Sequence, residues 1–305
     1  MIAKKAHKAN NFKRELISYP RARDAWQAVL QAYHKQYPKA KVILPAYIGW
    51  TVTEGSGIFD PVTNVGIDYE FYGLNKMLRI DFEDMKRVIS ANPGAMVLMV
   101  HYFGFPDDRY SEIVLWLKKE GVFFIEDLAH AMLTDLIGGA CGRAGNYSFY
   151  SLHKNLPFPD GGMLAMNNEG PFVIEEKNYL DNATVFDYDL QGIFQARRNN
   201  YLLLLKELNH TDGITILYPK LDDNICPQSF PILLNDADRN SVFKLMNEKG
   251  FGLVSLYYTM IEPLRITNYE SAAYTSKHIT NLPVHQDCDP DEIKLMADHL
   301  KALLS

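Results

Sequence analysis

The sequence predicts an α/β fold, with a mainly parallel sheet flanked by helices and a small C-terminal α+β domain. Short apolar segments typical of buried strands alternate with segments of helical periodicity, and such alternation favours right-handed crossovers between parallel strands. The chain has 305 residues, of which 47% are hydrophobic, enough for a large core and a second domain. Strands are expected at residues 41–44, 64–68, 95–100 and 122–125.

Three helices are expected in the same region, one before the first of these strands and two between later ones. The first is predicted over residues 22–37, because this segment has apolar residues at helical spacing, namely Ala25, Trp26, Val29, Leu30 and Tyr33. A second helix begins at Asp81, which is suited to an N-cap and is followed by acidic residues in the first turn. A third is expected over residues 110–120.

The pattern changes after about Asn168. A long helix over 188–208 is followed by a strand at 229–234, a helix at 237–249 and a strand at 252–256. A last helix begins at Pro290. We therefore predict a large domain over residues 1–187 and, over 188–305, a connecting helix with a small domain.

Composition excludes several classes of protein. The formal net charge of −6 disfavours a general nucleic-acid binder. No segment is long and apolar enough for a membrane span, and the N-terminus lacks the apolar core of a signal peptide. Cys141, Cys226 and Cys288 are odd in number and widely spaced, which favours buried free thiols in a reducing, cytoplasmic compartment. We assign no metal site.

The segment 151–162, SLHKNLPFPDGG, carries the strongest chemical signal. Lys154 follows the strand-like run 147–150 and precedes Pro157 and Pro159, which fix the backbone. A lysine held between rigid segments near aromatic residues can lose its proton and act as an amine nucleophile.

Two carboxylates support this interpretation. Glu126 and Asp127 follow the predicted strand at 122–125, at the sheet edge where ligands of open parallel sheets bind. An acid there can hold a metal, a sugar hydroxyl or a cationic ring nitrogen, although such acids often only cap the next helix.

Five motifs in order resemble the DegT/DnrJ/StrS family of pyridoxal-phosphate enzymes, the sugar aminotransferases of the aspartate-aminotransferase fold. Residues 42–47 resemble the family's VILPxxTF, and residues 100–106 resemble VHLYGQP. Residues 126–131 resemble EDAAQA, and residues 148–162 resemble SFYPTKNLGxGDGG. Near the C-terminus, residues 282–293 resemble LPLHPxLxxEEI.

The resemblance implies chemical roles for three residues. Lys154 would be the Schiff-base lysine of pyridoxal 5'-phosphate and would also carry protons. Asp127 would pair with the ring nitrogen and keep it protonated. His130 stands where the family usually has Gln, which contacts the phenolic oxygen of the ring. A histidine simply packed on the first turn of a helix is the alternative for His130.

The resemblance also implies anchors for the phosphate and the ring. The family's SGT or SGR at the start of the first helix corresponds here to Arg21, Ala22 and Arg23, whose amides and charge suit an anion. A hydroxyl would come from Ser148 or Ser151. An aromatic side chain would cover the ring face, with Trp50 or Tyr47 as candidates, although core packing explains either residue equally well.

Three departures from the family pattern leave alternatives open. The arm before the first helix is short, and the family's NYRMSE segment has no clear counterpart between Asn167 and Arg198. The spacing from Ser148 places His153, not Lys154, at the lysine position. One alternative is therefore a sugar dehydratase that uses pyridoxamine phosphate with His153 as base. Another is a non-catalytic descendant of the fold.

The function implied by the resemblance is an aminotransferase that moves an amino group from an amino acid such as glutamate to a nucleotide-linked keto-sugar, as in polysaccharide biosynthesis. The family's active sites lie at a two-fold interface, so the resemblance implies a homodimer. Four side chains of the second domain can bind an anionic substrate, although a solvated helix face and core tyrosines explain them equally well, namely Arg197, Arg198, Tyr257 and Tyr258.

Overall fold

A seven-stranded sheet forms the centre of the computed structural model, which describes residues 14–168, 172–174, 183–267 and 269–304. Its strands are β1 (Glu15–Tyr19), β2 (Val42–Pro45), β3 (Tyr69–Tyr72), β4 (Met96–Val100), β5 (Phe124–Asp127), β6 (Tyr147–Ser151) and β7 (Gly162–Met166). Their order is β1-β7-β6-β5-β4-β2-β3. Strands β2 to β6 are parallel to one another, whereas β7 is antiparallel to both β6 and β1. The predicted fold class is confirmed.

Helices flank this sheet and explain its apolar strands. They are α1 (Ala22–Gln36), α2 (Phe59–Val65), α3 (Phe82–Ala91), α4 (Tyr110–Lys119) and the short α5 (Ala183–Phe186). Strand β4 reads Met-Val-Leu-Met-Val without alternation, as expected for a parallel strand covered on both faces. The first helix packs on β6 and β7 through the apolar stripe that the sequence predicts.

The predicted start of α3 is confirmed. The Asp81 carboxylate accepts a hydrogen bond from the Asp84 amide at 3.1 Å, and this bond satisfies one of the free amides of the first turn.

A smaller antiparallel sheet follows in the second part of the chain. Its strands are β8 (Ile214–Ile216), β9 (Phe230–Leu234) and β10 (Ile279–Leu282), in the order β10-β9-β8. The accompanying helices are α6 (Leu190–Leu208), α7 (Arg239–Glu248), α8 (Glu262–Ile266), α9 (Glu270–His278) and α10 (Pro290–Leu304). The long helix α6 packs against α10. The domain boundary at residue 187 stays a prediction, and it falls between the two sheets.

Two predicted strands are wrong. Residues 64–68 contain the end of α2 and a turn, because Gly66 adopts a left-handed conformation with φ 74° that ends the helix. Residues 252–256 do not form a strand, because they make only a single bridge, from Val254 to Asn281. The strands that pair with β9 are β10 and β8. The short N-terminal arm before residue 14 and part of the segment between Asn167 and Arg198 lie outside the described residues.

Two further expectations concern the membrane and the cysteines. Among the helices of the described residues, none combines the length and apolar character that crossing a bilayer requires. All three cysteines are free thiols, as predicted, and Cys141 and Cys226 are buried while Cys288 is half-buried.

Candidate active site

A cavity of about 600 Å³ opens where the parallel strands β2, β5 and β6 end. In a sheet whose strand order reverses between β2 and β4, this edge is the usual ligand position. Its walls contain most of the predicted site residues, namely Arg21, Ala22, Arg23, Trp50, Asp127, His130, Ser151, His153 and Lys154. The volume lies within the usual range for small-molecule sites.

Lys154 ends a short 3₁₀ turn, Leu152–Lys154, directly after β6. Its Nζ lies 2.9 Å from Nε2 of His130. Burial lowers the pKa of the Lys154 ammonium, and the carboxylates of Asp127 and Glu54 oppose this shift only in part. The lysine is therefore biased toward the neutral amine that nucleophilic chemistry requires.

The two carboxylates at the end of β5 face opposite sides, because successive strand residues alternate. Asp127 lines the cavity, and its Oδ1 accepts a hydrogen bond from the Ala129 amide at 2.8 Å. Burial raises the pKa of Asp127, against that hydrogen bond and the charge on Lys154. A cation bound beside Asp127 would favour its charged form.

Glu126 points away from the cavity into a buried cluster. Its two oxygens face five donors, namely His101 Nε2, Tyr110 Oη and the amides of Gly142, Ala144 and Gly145, at 2.8–2.9 Å. Burial alone would raise the pKa of Glu126, but these hydrogen bonds outweigh it and lower the pKa to about 2. Glu126 therefore has a structural role.

His130 is buried and contacts both the lysine and the loop after β4. Its Nδ1 accepts a hydrogen bond from the backbone amide of Phe103 at 3.2 Å, and the two rings are stacked with centroids 5.7 Å apart. Burial, followed by the charge of Lys154, holds the pKa of His130 well below its usual range. This shift favours the neutral imidazole.

The start of α1 forms the wall expected to hold an anion. Arg21 precedes the helix in extended conformation and makes no side-chain capping bond to it, pairing instead with Asp24 at 3.1 Å. Arg23 donates to the Glu54 carbonyl at 2.7 Å. A Cβ at Gly162 would overlap the backbone of Arg21 and Ala22, so glycine permits β7 to support this helix end.

The structure separates the two candidate serines on β6. Ser151 lines the cavity, whereas Ser148 does not. Ser148 Oγ donates to the Gly142 carbonyl at 2.6 Å and accepts from Asn167 Nδ2 at 2.9 Å. The two residues are three apart on a strand, so their side chains lie on opposite faces.

Of the two aromatic residues considered for the ring face, only one lies in the cavity. Trp50 lines the cavity and is 38% exposed, whereas Tyr47 is buried against Tyr102 and Tyr257. Tyr257 and Tyr258, from the second part of the chain, both line the cavity. The Tyr257 ring lies 5.9 Å from that of His130.

Sequence reasoning missed other residues at the site. Phe103 contributes through its amide, and Gly49, Glu54 and Ser255 also line the cavity. No sequence signal identifies Phe103, because any residue type has the amide that it contributes.

Arg197 and Arg198 do not line the cavity, contrary to the anion-binding role considered for them. Arg198 donates to the carbonyls of Asp222 and Ile225. Arg197 is buried and donates to Gln286 Oε1 at 3.1 Å, to the Gln228 carbonyl at 3.2 Å and to the Lys154 carbonyl at 3.4 Å. Arg197 thus connects the lysine turn to the second part of the chain.

Replacing Arg197 with methionine is expected to lower the free energy of unfolding by about 1–3 kcal/mol, because buried carbonyls lose their donors. Arg197→Lys should recover only part of this loss, since an ammonium lacks the planar set of donors. Urea denaturation measures both. Arg87→Met, at an exposed ion pair with Asp84, is the control and should change little. Equal stability of Arg197→Met and wild type would contradict this role.

Solved structures of several aminotransferases share this fold. The protein superposes on PseC from Helicobacter pylori, an aminotransferase involved in pseudaminic acid biosynthesis, with a TM-score of 0.75 and 16% identity over 95% of this chain and 86% of that one. An aminotransferase from Brucella abortus gives a TM-score of 0.71 and 17% identity over 95% and 86%. At these identities the likeness establishes the fold.

The sequence model of the DegT/DnrJ/EryC1/StrS aminotransferase family matches residues 12–175, and the chain belongs to that family.

A structure of a different activity shares the same fold. GDP-4-keto-6-deoxymannose-3-dehydratase superposes with a TM-score of 0.75 and 15% identity, over 93% of this chain and 88% of that one. The fold alone therefore does not separate transamination from dehydration.

Two curated relatives match parts of the sequence. An uncharacterized protein of Methanocaldococcus jannaschii is 32% identical over 108 residues, 34% of this chain and 26% of the relative. GDP-perosamine synthase of Vibrio cholerae is 29% identical over 133 residues, 39% of this chain and 35% of the relative. The chain thus matches about a quarter to a third of their length. The family predicted from the motifs is confirmed.

Proposed function

We propose that this protein is a pyridoxal-phosphate-dependent aminotransferase that moves an amino group from an amino acid such as glutamate to a nucleotide-linked keto-sugar. One observation carries the proposal. Lys154, biased toward its neutral form, shares a cavity with a buried carboxylate, Asp127, and a neutral donor, His130. Family membership supports this activity, and GDP-perosamine synthase is one relative whose name indicates a nucleotide-linked sugar.

The residues present fit the cofactor. The cavity is large enough for it, and the start of α1 offers first-turn amides that the preceding Arg21 leaves without a side-chain cap. Arg21 and Arg23 line the same wall and add positive charge for a phosphate. Asp127 suits a protonated ring nitrogen, and Trp50 offers an aromatic face.

Four residues of the cavity would each have a separate role with the cofactor bound. Bound pyridoxal phosphate supplies an aldehyde for covalent attachment and a ring that withdraws electrons from the substrate carbon. Lys154 Nζ would attach the cofactor through its aldehyde, and as a free amine it could carry a proton to or from the substrate. Asp127 would pair with the protonated ring nitrogen, which favours the charged carboxylate, and His130 could donate a hydrogen bond to the phenolic oxygen of the ring. Ser151, unlike Ser148, is available to contact the phosphate.

The cavity mouth supports a polar substrate. Trp50 and Tyr258 are 38% and 48% exposed there, and aromatic faces of this kind suit stacking on sugar or base rings.

We further propose a homodimer. The loop that carries Trp50 leaves Val52 87% exposed, and a second copy of the chain would cover it. Sedimentation equilibrium tests the dimer, and a monomer at micromolar concentration would contradict it.

Titration of the purified protein with pyridoxal phosphate tests the cofactor proposal directly. We expect a visible absorption band at one equivalent, together with a rise in melting temperature from ligand linkage. Adding glutamate should bleach the band, and a nucleotide-linked keto-sugar should restore it. A protein that takes up no cofactor would contradict the proposal and favour a non-catalytic descendant.

His153 supports a second candidate function, that of a sugar dehydratase, because it lines the same cavity. Its side chain is 43% exposed, with Nδ1 3.6 Å from Asp160 Oδ1. Lys154, rather than His153, contacts His130. If His153→Asn abolishes turnover while Lys154→Ala retains it, the dehydratase is the correct assignment.

A further inference from the structure

The imidazole of His130 lies between two nitrogen atoms, and a neutral ring has only one nitrogen that can accept a hydrogen bond. On one side, the Phe103 backbone nitrogen is 3.2 Å from Nδ1, and on the other, Lys154 Nζ is 2.9 Å from Nε2. A backbone amide can only donate a hydrogen bond. Nδ1 must therefore accept, which leaves the proton of the neutral ring on Nε2.

We infer that the Phe103 amide fixes His130 in the Nε2–H tautomer, and that His130 in turn donates to Lys154 and selects its uncharged amine. An ammonium at Lys154 would place N–H donors against N–H on Nε2. Moving the ring proton to Nδ1 would relieve that conflict but would oppose the Phe103 amide. One imidazole cannot accept from both sides.

The donor at Phe103 is held rigidly. The residue has φ 56°, a left-handed conformation that is strained for a non-glycine side chain. Its carbonyl accepts from the Gln228 amide at 2.8 Å, and Tyr102 Oη donates to the Tyr47 carbonyl at 2.6 Å. A Cβ on the next residue, Gly104, would overlap the Cys226 carbonyl. The surrounding contacts maintain the strained backbone, so the amide cannot turn away from His130.

The electrostatic surroundings agree with this arrangement. Burial lowers the pKa of both His130 and Lys154, which favours the uncharged form of each side chain. The charged or titratable groups that act on this pair are Asp127 from β5, His153 from the lysine turn, and Arg23 and Glu54 from across the cavity. The Tyr257 ring packs beside His130 from the second part of the chain.

This inference concerns the cofactor-free protein, so it does not depend on the proposed function. His130 acts here as a positioning residue, because it acts through Lys154. It presents a lysine that is ready to attack a carbonyl carbon at neutral pH. A neutral imidazole also adds no positive charge beside the amine.

Two substitutions of equal size test the order of donor and acceptor. His130→Gln can accept from Phe103 through its carbonyl and donate to Lys154 through its NH₂ group. His130→Glu presents acceptors to both sides and favours the ammonium. We expect Lys154 in His130→Gln to keep the reactivity of wild type, and in His130→Glu to react about tenfold more slowly or less at pH 7. The reaction is trinitrophenylation of the cofactor-free protein over a range of pH, followed by peptide mass spectrometry.

A second measurement uses the wild-type protein alone, so it does not depend on variants that fold poorly. In ¹⁵N-labelled protein, long-range ¹H–¹⁵N spectra report which imidazole nitrogen is protonated. We expect His130 to show a protonated Nε2 and a bare Nδ1 from pH 6 to pH 9. A proton on Nδ1, or equal Lys154 reactivity in folded His130→Gln and His130→Glu, would overturn the inference.

Discussion

Replacing Lys154 with alanine is expected to lower aminotransferase turnover by about 10²–10⁴-fold or more, because the protein loses the group that carries the proton. The variant should also lose covalent attachment of the cofactor. Lys154→Arg is the matched substitution. It keeps a cation of similar length, but guanidinium stays protonated and is not a nucleophile, so its activity should be as low.

Reduction with borohydride makes this prediction independent of turnover. In wild type loaded with pyridoxal phosphate, the reduced cofactor should be found by mass spectrometry on the peptide containing Lys154. Lys119→Ala, which removes an exposed lysine at the end of α4, is the control and should behave as wild type. Attachment at another residue, or full turnover in Lys154→Ala, would refute the assignment of Lys154.

The largest effect on stability is expected from Glu126→Gln. The substitution replaces one carboxylate oxygen with an NH₂ group, which faces donors instead of accepting from them. Because Glu126 is fully buried among its five donors, we expect a loss of about 3–5 kcal/mol in the free energy of unfolding. Urea denaturation at pH 7 measures it, and Glu112→Gln at an exposed pair with Arg109 is the control. A loss no larger than that of the control would refute the role of this cluster.

The pH dependence of stability gives a second test of Glu126. Its folded pKa is about 2, below the ordinary value of 4.5, so its contribution is complete above about pH 4.5. The contribution is lost as the pH falls from about 4.5 through 2, and a shift of this size corresponds to about 3 kcal/mol. Glu126→Gln should lack this part of the acid dependence. An unchanged acid profile in the variant would show that Glu126 does not titrate in this way.

Local patterns in the sequence predicted much of the fold. The apolar stripe of α1, the Asp81 cap and the unbroken hydrophobic run of β4 depend on residues close in sequence. The strands expected at 64–68 and 252–256 were wrong, because each contains a glycine turn whose conformation the pattern does not reveal. Five strands were missed, namely β1, β3, β7, β8 and β10. Of these, β1 and β10 are short strands that pair with partners distant in sequence, and such strands leave weak local signals.

The sequence likewise predicted some residues of the candidate site correctly and misplaced others. Lys154 and Asp127 follow strands that are recognisable from sequence, and both line the cavity because parallel strands end at one edge of the sheet. Ser148 was proposed with Ser151, but the strand register turns Ser148 to the opposite face. Arg197 was considered for substrate binding, and it instead donates to buried carbonyls.

By itself, the sequence determined the fold class, the family and the segment that carries Lys154, because these depend on the order and local composition of motifs. Only the tertiary structure decided which side chains meet. The amide of Phe103 reaches His130 across 27 residues of sequence, and Tyr257 reaches the same cavity from the second part of the chain. Such contacts depend on strand register and on strained backbone held by distant residues, which no local pattern encodes.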